Sequence, residues 1–307
     1  MEVKFQSEPG VSYMSNAYVG TSREESGKEE KHSISSWNET ESYTPSEEGL
    51  ALTSQYVSAT ASVNATYDYR AMQTALHSLG FYNGQMDGNI TSDASKNALR
   101  NFQKVYGLSQ TGSVNNETST ILTAAKNSRD TLINSKEFKT IANSWGLDSS
   151  EKENFARTWS FLRVGMHMTS AATSGVMGNL YAESAFSSNC ATGGGYNSAH
   201  VTNYTYNSKD NVAYGIAQWL NSDRKAGLKS TADSMGLATS DINAQLAFLR
   251  TEVGQSVFSD GWSNVKNSKD CRTAAGYFYS SYEMANDGTE NKRKDYATFV
   301  YNNLSKM

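Results

Sequence analysis

Apolar positions along the chain change character near residue 66. Before that point they are scattered, fitting neither the two-residue alternation of a strand nor the 3.6-residue turn of a helix. From Tyr67 they become periodic. Met72, Leu76 and Leu79 put one apolar stripe on a helix face, and Ala98, Phe102 and Val105 put another on a second helix. Between them lie Gly80-Phe81-Tyr82-Asn83-Gly84 and Asp87-Gly88, turn chemistry in which glycine accepts a positive φ. Gly107 should stop the second helix, and Gly112-Ser113-Val114 should lead into a short third one around Thr118 to Leu122. Three short helices then form a small domain over 67–125.

The following stretch, 126–149, is polar and reads as a helical linker. A capping box with Ser150 as N-cap and Glu153 reaching back should open the next helix, with Phe155, Trp159 and Leu162 on its core face. Asp241 should cap a helix carrying Ile242, Leu246, Leu249 and Val253, and the chain from Val265 to Leu304 also reads as helix. Residues 150–307 are therefore expected to form a mainly α domain, with irregular glycine-rich loops at 190–215.

Composition sharpens this division. Of 27 basic and 31 acidic residues, the first 66 positions hold only Lys4, Arg23, Lys28 and Lys31 against ten glutamates, together with both prolines. Such a segment buries too little surface to offset its chain entropy, and 1–66 is expected to be a disordered acidic arm. Its alternative is a docking arm that orders on a larger assembly. The mild net charge of −4 argues against nucleic acid as a partner. No apolar run is long enough for a membrane span, and no secretory signal is visible at the start. Cys190 and Cys271 are either one disulfide or two buried thiols.

The candidate chemistry centres on Gly175-Val176-Met177-Gly178-Asn179-Leu180-Tyr181-Ala182-Glu183-Ser184. At helical spacing Glu183 falls roughly 20° from Val176, on the same face as Leu180. A carboxylate on an apolar face should hold its proton near neutrality, as a general acid must. The bland alternative is a last-turn glutamate that bends to water or pairs with an arginine. Downstream, Ala213-Tyr214-Gly215-Ile216-Ala217-Gln218-Trp219 combines a glycine for close backbone approach with Tyr214, Gln218 and Trp219. Stacking faces and an amide suit sugars, although a buried loop with Trp219 as core filler would also explain it.

Other chemistries fit poorly. Cys271 has no histidine after it, and the histidines at 32, 77, 167 and 200 form no metal-ligand pair. Phosphate-cradling, dinucleotide and nucleophile-elbow motifs are missing, so no metal and no cofactor is expected.

Two resemblances then organise the chain. Met72-Gln73, Leu76, Leu79-Gly80-Phe81-Tyr82-Asn83-Gly84, Asp87-Gly88, Ala98, Phe102-Gln103, Gly107-Leu108, Gly112 and Thr118 resemble the peptidoglycan-binding domain type 1, departing at Asn89-Ile90-Thr91, where a further glycine is usual. Asp87, Gln73 and Gln103 are read as turn and cap residues rather than ligand contacts. Met177-Gly178-Asn179-Leu180 with Glu183-Ser184, followed by Tyr214-Gly215-Ile216-Ala217-Gln218-Trp219, resembles the phage tail lysozyme family. The likeness extends more distantly to goose-type lysozymes and lytic transglycosylases. Arg224, the helix from Gln245 to Glu252, and Ala274-Ala275, Phe278-Tyr279, Tyr282-Glu283, Arg293 and Tyr296-Ala297 agree with it. Met284 departs, since a proline often follows the glutamate.

The resemblance implies a lysozyme-like fold with Glu183 as catalytic acid and Tyr214, Gln218, Trp219, Tyr279 and Glu283 at the glycan cleft. A second carboxylate is not obvious among Asp210, Asp223, Glu252 and Glu283, each of which also suits an ion-pair or cap role. The expected activity is muramidase cleavage of peptidoglycan, outside the cell or from a virion, with residues 1–66 as the segment that would join a phage tail or related particle. Its alternatives are a lytic transglycosylase using the same acid, and a non-catalytic wall-binding structural protein.

Overall fold

A computed structural model describes residues 67–193, 201 and 203–307; the acidic arm expected at 1–66 lies outside them. The described chain is helical apart from one two-stranded ribbon.

The N-terminal module opens with α1 (Tyr69–Ser78), whose cap Asp68 accepts from the Ala71 amide. Helix α2 (Asp93–Tyr106) is capped by Ser92 and ended by Gly107 at φ 71°, the left-handed stop that the sequence suggested. Two buried glutamines hold the loops. Gln73 accepts from the Gly88 amide through Oε1 (2.7 Å) and donates through Nε2 to Asp87 Oδ1 (3.1 Å). Gln103 does the same after α2, accepting from Gly112 N (2.8 Å) and donating to the Ser113 carbonyl (2.9 Å). Each amide thus satisfies both the donors and the acceptors of a loop that has no regular structure of its own.

The third helix corrects the sequence expectation. Rather than a short element ending near Ala125, α3 runs through Asn116–Asn134. Its buried stripe continues through Ala124, Ala125, Ser128 and Leu132. Small residues let α3 lie close to its neighbours, yet they give a weak hydrophobic signal. Ser135 then serves both helices at a corner, ending α3 and capping α4 (Lys136–Trp145). Residues 126–149 are helical as expected, and they are packed: Phe138, Ile141 and Ala142 are buried.

Helix α5 (Ser149–Ser160) starts two residues earlier than the proposed box. Asp148 is the cap and Glu151 its partner, with reciprocal bonds of 2.8 Å. Glu153 instead grips Arg129 of α3 through both oxygens, at 2.5 and 2.6 Å. A π-helical turn at Phe161–Gly165 follows. Helix α6 (Ser170–Ser184) then forms the centre of the C-terminal domain, buried all round except at Tyr181 and Ala182. A β-carbon at Gly175 would stand 2.5 Å from Ala274 Cβ, and one at Gly178 would stand 2.5 Å from the Ala297 nitrogen. Those glycines let two later helices press directly on α6.

Antiparallel strands β1 (Ala191–Gly193) and β2 (Val212–Tyr214) replace part of the expected irregular loop. Helices α7 (Ser222–Met235), α8 (Ile242–Val253, capped by Asp241 as expected) and α9 (Ser256–Asn267) follow. Helix α10 (Cys271–Tyr277) runs into a second π turn at Phe278–Tyr282, and α11 (Glu290–Leu304) completes the domain against α6.

Module and domain share one continuous core. Asn243 Nδ2 of α8 donates to the Leu79 carbonyl (3.1 Å), and Asn101 Nδ2 of α2 to the Met235 carbonyl (2.9 Å). Tyr106 of α2 meets Ser160 of α5 at 3.1 Å, and Ser160 donates to the Ala125 carbonyl at 2.9 Å.

Candidate functional site

Glu183 lies in the last turn of α6 and is fully buried. The helix ends with Ala185 and Phe186 both at positive φ, 50° and 67°, where a side chain is disfavoured. Ser184 ties this end down by donating to the Ile216 carbonyl (3.0 Å). Because α6 is buried on nearly every side, its apolar face alone does not single out Glu183. Its ionic surroundings do.

Arg293 of α11 brings Nη1 to within 2.6 Å of Glu183 Oε1. This is a close ion contact whose N–H is not aimed along a hydrogen-bond line, and among the described residues neither carboxylate oxygen has a hydrogen-bond partner of good geometry. Burial pushes the Glu183 carboxyl above its ordinary range, the Arg293 charge opposes that, and Asp287 reinforces it. Arg293 also contacts Asp287 Oδ2 through Nη2 (3.3 Å), donates to Thr289 Oγ1 through Nε (2.8 Å), and lies over the Tyr279 ring at 5.3 Å. The Tyr279 hydroxyl donates to Asp287 Oδ1 at 3.0 Å. Of the two readings of Glu183, the pairing with an arginine is the one present, in a carboxyl that is also fully buried.

The other expected site residues divide. Tyr279 belongs to the Glu183 surroundings through Arg293 and Asp287, and Glu283, also buried, acts electrostatically on Arg293 and Arg224. Gln218 is buried at φ 46°; it accepts from Thr192 Oγ1 (2.6 Å) and donates to the Gly215 and Cys190 carbonyls (2.8 and 3.2 Å). Its amide is occupied by the hairpin that carries it. Trp219 exposes none of its surface, and its indole Nε1 donates to Glu252 Oε2 (3.0 Å). The expected stacking face of Trp219 is packed inside, where Phe248 meets it edge to face at 5.3 Å between centroids. Tyr214 is buried in a cluster with Tyr204 and Tyr206. Gly215 does permit a close approach, by the side chain of Gln245, whose Oε1 accepts from the Ile216 amide (2.9 Å).

Two of the candidate second carboxylates are held in ion pairs. Asp210 pairs with the buried Lys225, and Glu252 accepts from Arg224 through Nε (2.6 Å) and Nη2 (3.0 Å) and from the Tyr282 hydroxyl (2.5 Å). Asp223 is exposed in the first turn of α7. Cys190 and Cys271 are buried and not joined in a disulfide, the second of the two arrangements the sequence allowed. No group of three or more potential metal ligands occurs among the described residues. No described helix is long and apolar enough to cross a membrane.

Sequence reasoning gave Arg293 no role of its own and missed Asp287. A signal existed for the arginine: it shares the α11 stripe of Ala297, Val300 and Leu304, so a charge on that face requires a buried partner. Asp287 lies in a loop and carried no such signal. A cleft of about 520 Å³ occurs elsewhere, at the junction of module and domain, bounded by Tyr106, Glu117, His167 and Arg250 among others. None of the Glu183 partners lines it, so the ionic cluster rather than the cleft marks the candidate site.

Residues 153–304 match the phage tail lysozyme family, and residues 66–122 match a peptidoglycan binding domain. No curated protein and no solved structure gives a significant match. The lysozyme match spans α6, with Glu183, and α11, with Arg293, while the binding-domain match spans the two glutamine-held loops. Residues 153–304 thus carry the signature of the phage tail lysozyme family and residues 66–122 that of a peptidoglycan-binding domain, an architecture that supports a lysozyme-like function targeted to the cell wall.

Proposed function

We propose that the protein is a muramidase, cleaving the β-1,4 bond between N-acetylmuramic acid and N-acetylglucosamine with Glu183 as general acid. The observation that carries this reading is a fully buried carboxyl at the end of the central helix, raised by burial against the opposing charge of Arg293 at 2.6 Å. Protonated Glu183 gives its proton to the glycosidic oxygen as the C1–O bond breaks. Water adds to the oxocarbenium-like carbon, and its released proton returns to Glu183. Since Glu183 is fully covered in this conformation, glycan entry requires the surrounding side chains to move. The module keeps the domain at its substrate, and we place the action at the wall, from outside the cell or from a phage particle.

One observation favours a second reading. Asp210 and Glu252 are committed to ion pairs, which leaves fewer carboxylates to activate water. In a lytic transglycosylase the substrate's own hydroxyl would attack instead, with Glu183 still the acid. Mass spectrometry of purified peptidoglycan digested by the intact protein tests both. Reducing N-acetylmuramic acid ends are expected, anhydro ends would establish the transglycosylase, and uncleaved glycan with binding retained would overturn an enzymatic role.

A further inference from the structure

Helices α6 and α11 meet at Gly178 with no space for a β-carbon, which fixes Arg293 beside Glu183. Arg293 exposes only 1% of its surface, and protein groups surround it on several sides. Thr289 Oγ1 takes Nε, Asp287 Oδ2 faces Nη2, Asn179 Oδ1 lies 3.5 Å from Nη1, and the Tyr279 ring lies against the guanidinium. Nη1 also approaches Glu183 Oε1, and both carboxyl oxygens are buried without a hydrogen bond of good geometry among the described residues. The carboxyl is thereby held against a permanent cation.

Resting on the reading of Glu183 as the acid, we propose that Arg293 is a positioning residue: it fixes the Glu183 carboxyl at the end of α6 and holds the carboxylate left once the proton has gone. Asp287 sets how much of the arginine's charge reaches Glu183. The proton passes from the Glu183 carboxyl to the leaving oxygen and is restored from the attacking water or hydroxyl, while Arg293 keeps its own protons throughout. This arrangement resolves an apparent conflict in the site. Burial by itself would make Glu183 too reluctant to release a proton, and an unshielded arginine would strip the proton before substrate arrived. The burial effect is the larger, so the group still holds a proton above the ordinary glutamate range.

The charged and titratable groups around Glu183 are Arg293 on α11, Asp287 and Glu283 in the loop before it, Arg224 on α7, Tyr279 in the second π turn, and Cys190 before β1. Only Arg293 and Asp287 can be altered to change the charge at Glu183 in opposite directions through one contact. Removing the cation in Arg293→Gln should move the alkaline limb of the cleavage profile to higher pH, by about one unit. Removing the anion in Asp287→Asn should move it to lower pH.

The test is the pH-rate profile of peptidoglycan cleavage by the full chain and both variants, alongside ¹³C NMR titration of carboxyl-labelled glutamates. Opposite displacements, matched in the Glu183 resonance, are expected; a merely structural role for Arg293 would lower the rate without displacing the limb. Limbs that stay in place, or move the same way, overturn the proposal. Should Arg293→Gln fail to fold by circular dichroism, Asp287→Asn decides alone, and an unmoved limb is fatal. Full activity in Glu183→Gln would instead overturn the acid assignment itself, whatever the limbs do.

Discussion

The indole nitrogen of Trp219 donates to Oε2 of Glu252 at 3.0 Å, joining a residue expected at the glycan cleft to a candidate second carboxylate. The same oxygen accepts from the Tyr282 hydroxyl, and Arg224 clasps the carboxylate while lying over the Tyr282 ring at 4.7 Å. A buried carboxylate with this many donors is satisfied, and it stitches the hairpin after β2 to α7, α8 and the second π turn.

Trp219→Phe keeps most of the ring and removes one donor from that knot. The expected result is a loss of about 1–3 kcal/mol in unfolding free energy, measured by denaturant titration. Glycan affinity of the folded fraction should be unchanged. An affinity loss with stability intact would mean that the ring meets substrate after all.

Gly178 tests how the ionic pair is built. In Gly178→Ala the new methyl would meet the Ala297 nitrogen at 2.5 Å and the Arg293 carbonyl at 2.8 Å, both backbone atoms that cannot rotate away. Overpacking of this kind costs about 1–3 kcal/mol and should push α11 from α6. Cleavage should fall more than wall binding does, since the module is not at this contact. Equal losses of both would place the damage in the fold at large.

The shared core makes module and domain one cooperative unit. Scanning calorimetry of residues 67–307 should show a single transition. Asn243→Ala, which orphans the buried Leu79 carbonyl, should lower that transition as a whole, by about 1–3 kcal/mol. Two transitions, of which only one moves, would show instead that the module melts independently.

Burial pushes the Cys190 thiol up to about 12, with the Glu183 carboxylate adding to it, and burial also raises Cys271. Both should therefore resist a thiol reagent at mildly alkaline pH in the folded protein and react fully in denaturant. Reducing agent should leave the unfolding midpoint where it is. A midpoint that falls on reduction would reveal a disulfide.

Much of this was legible in the sequence wherever a local signal was strong. The stripes of α1 and α2, the stop at Gly107, the cap at Asp241 and the position of Glu183 at a helix end all follow from short-range spacing. The capping box was misplaced by two residues because Asp148 with Glu151 and Ser150 with Glu153 have the same spacing. Only the ion pair of Glu153 with Arg129 separates them. Met284 is a quieter case: it sits at φ 50°, which proline cannot reach, so this backbone path into the Asp287 loop excludes a proline at that position.

What local spacing determined was which segments coil and which of their faces seek cover. The cover itself was decided by tertiary structure, because the partners are distant in the chain and are chosen by packing and charge. A tryptophan suited to stack on sugar turned inward to serve Glu252, and Gln218 spent its amide on its own hairpin. Arg293 reached Glu183 only because two glycines in α6 let α10 and α11 close on it. A buried charge requires a partner, and nothing in the turn around Glu183 could say that it would be that arginine.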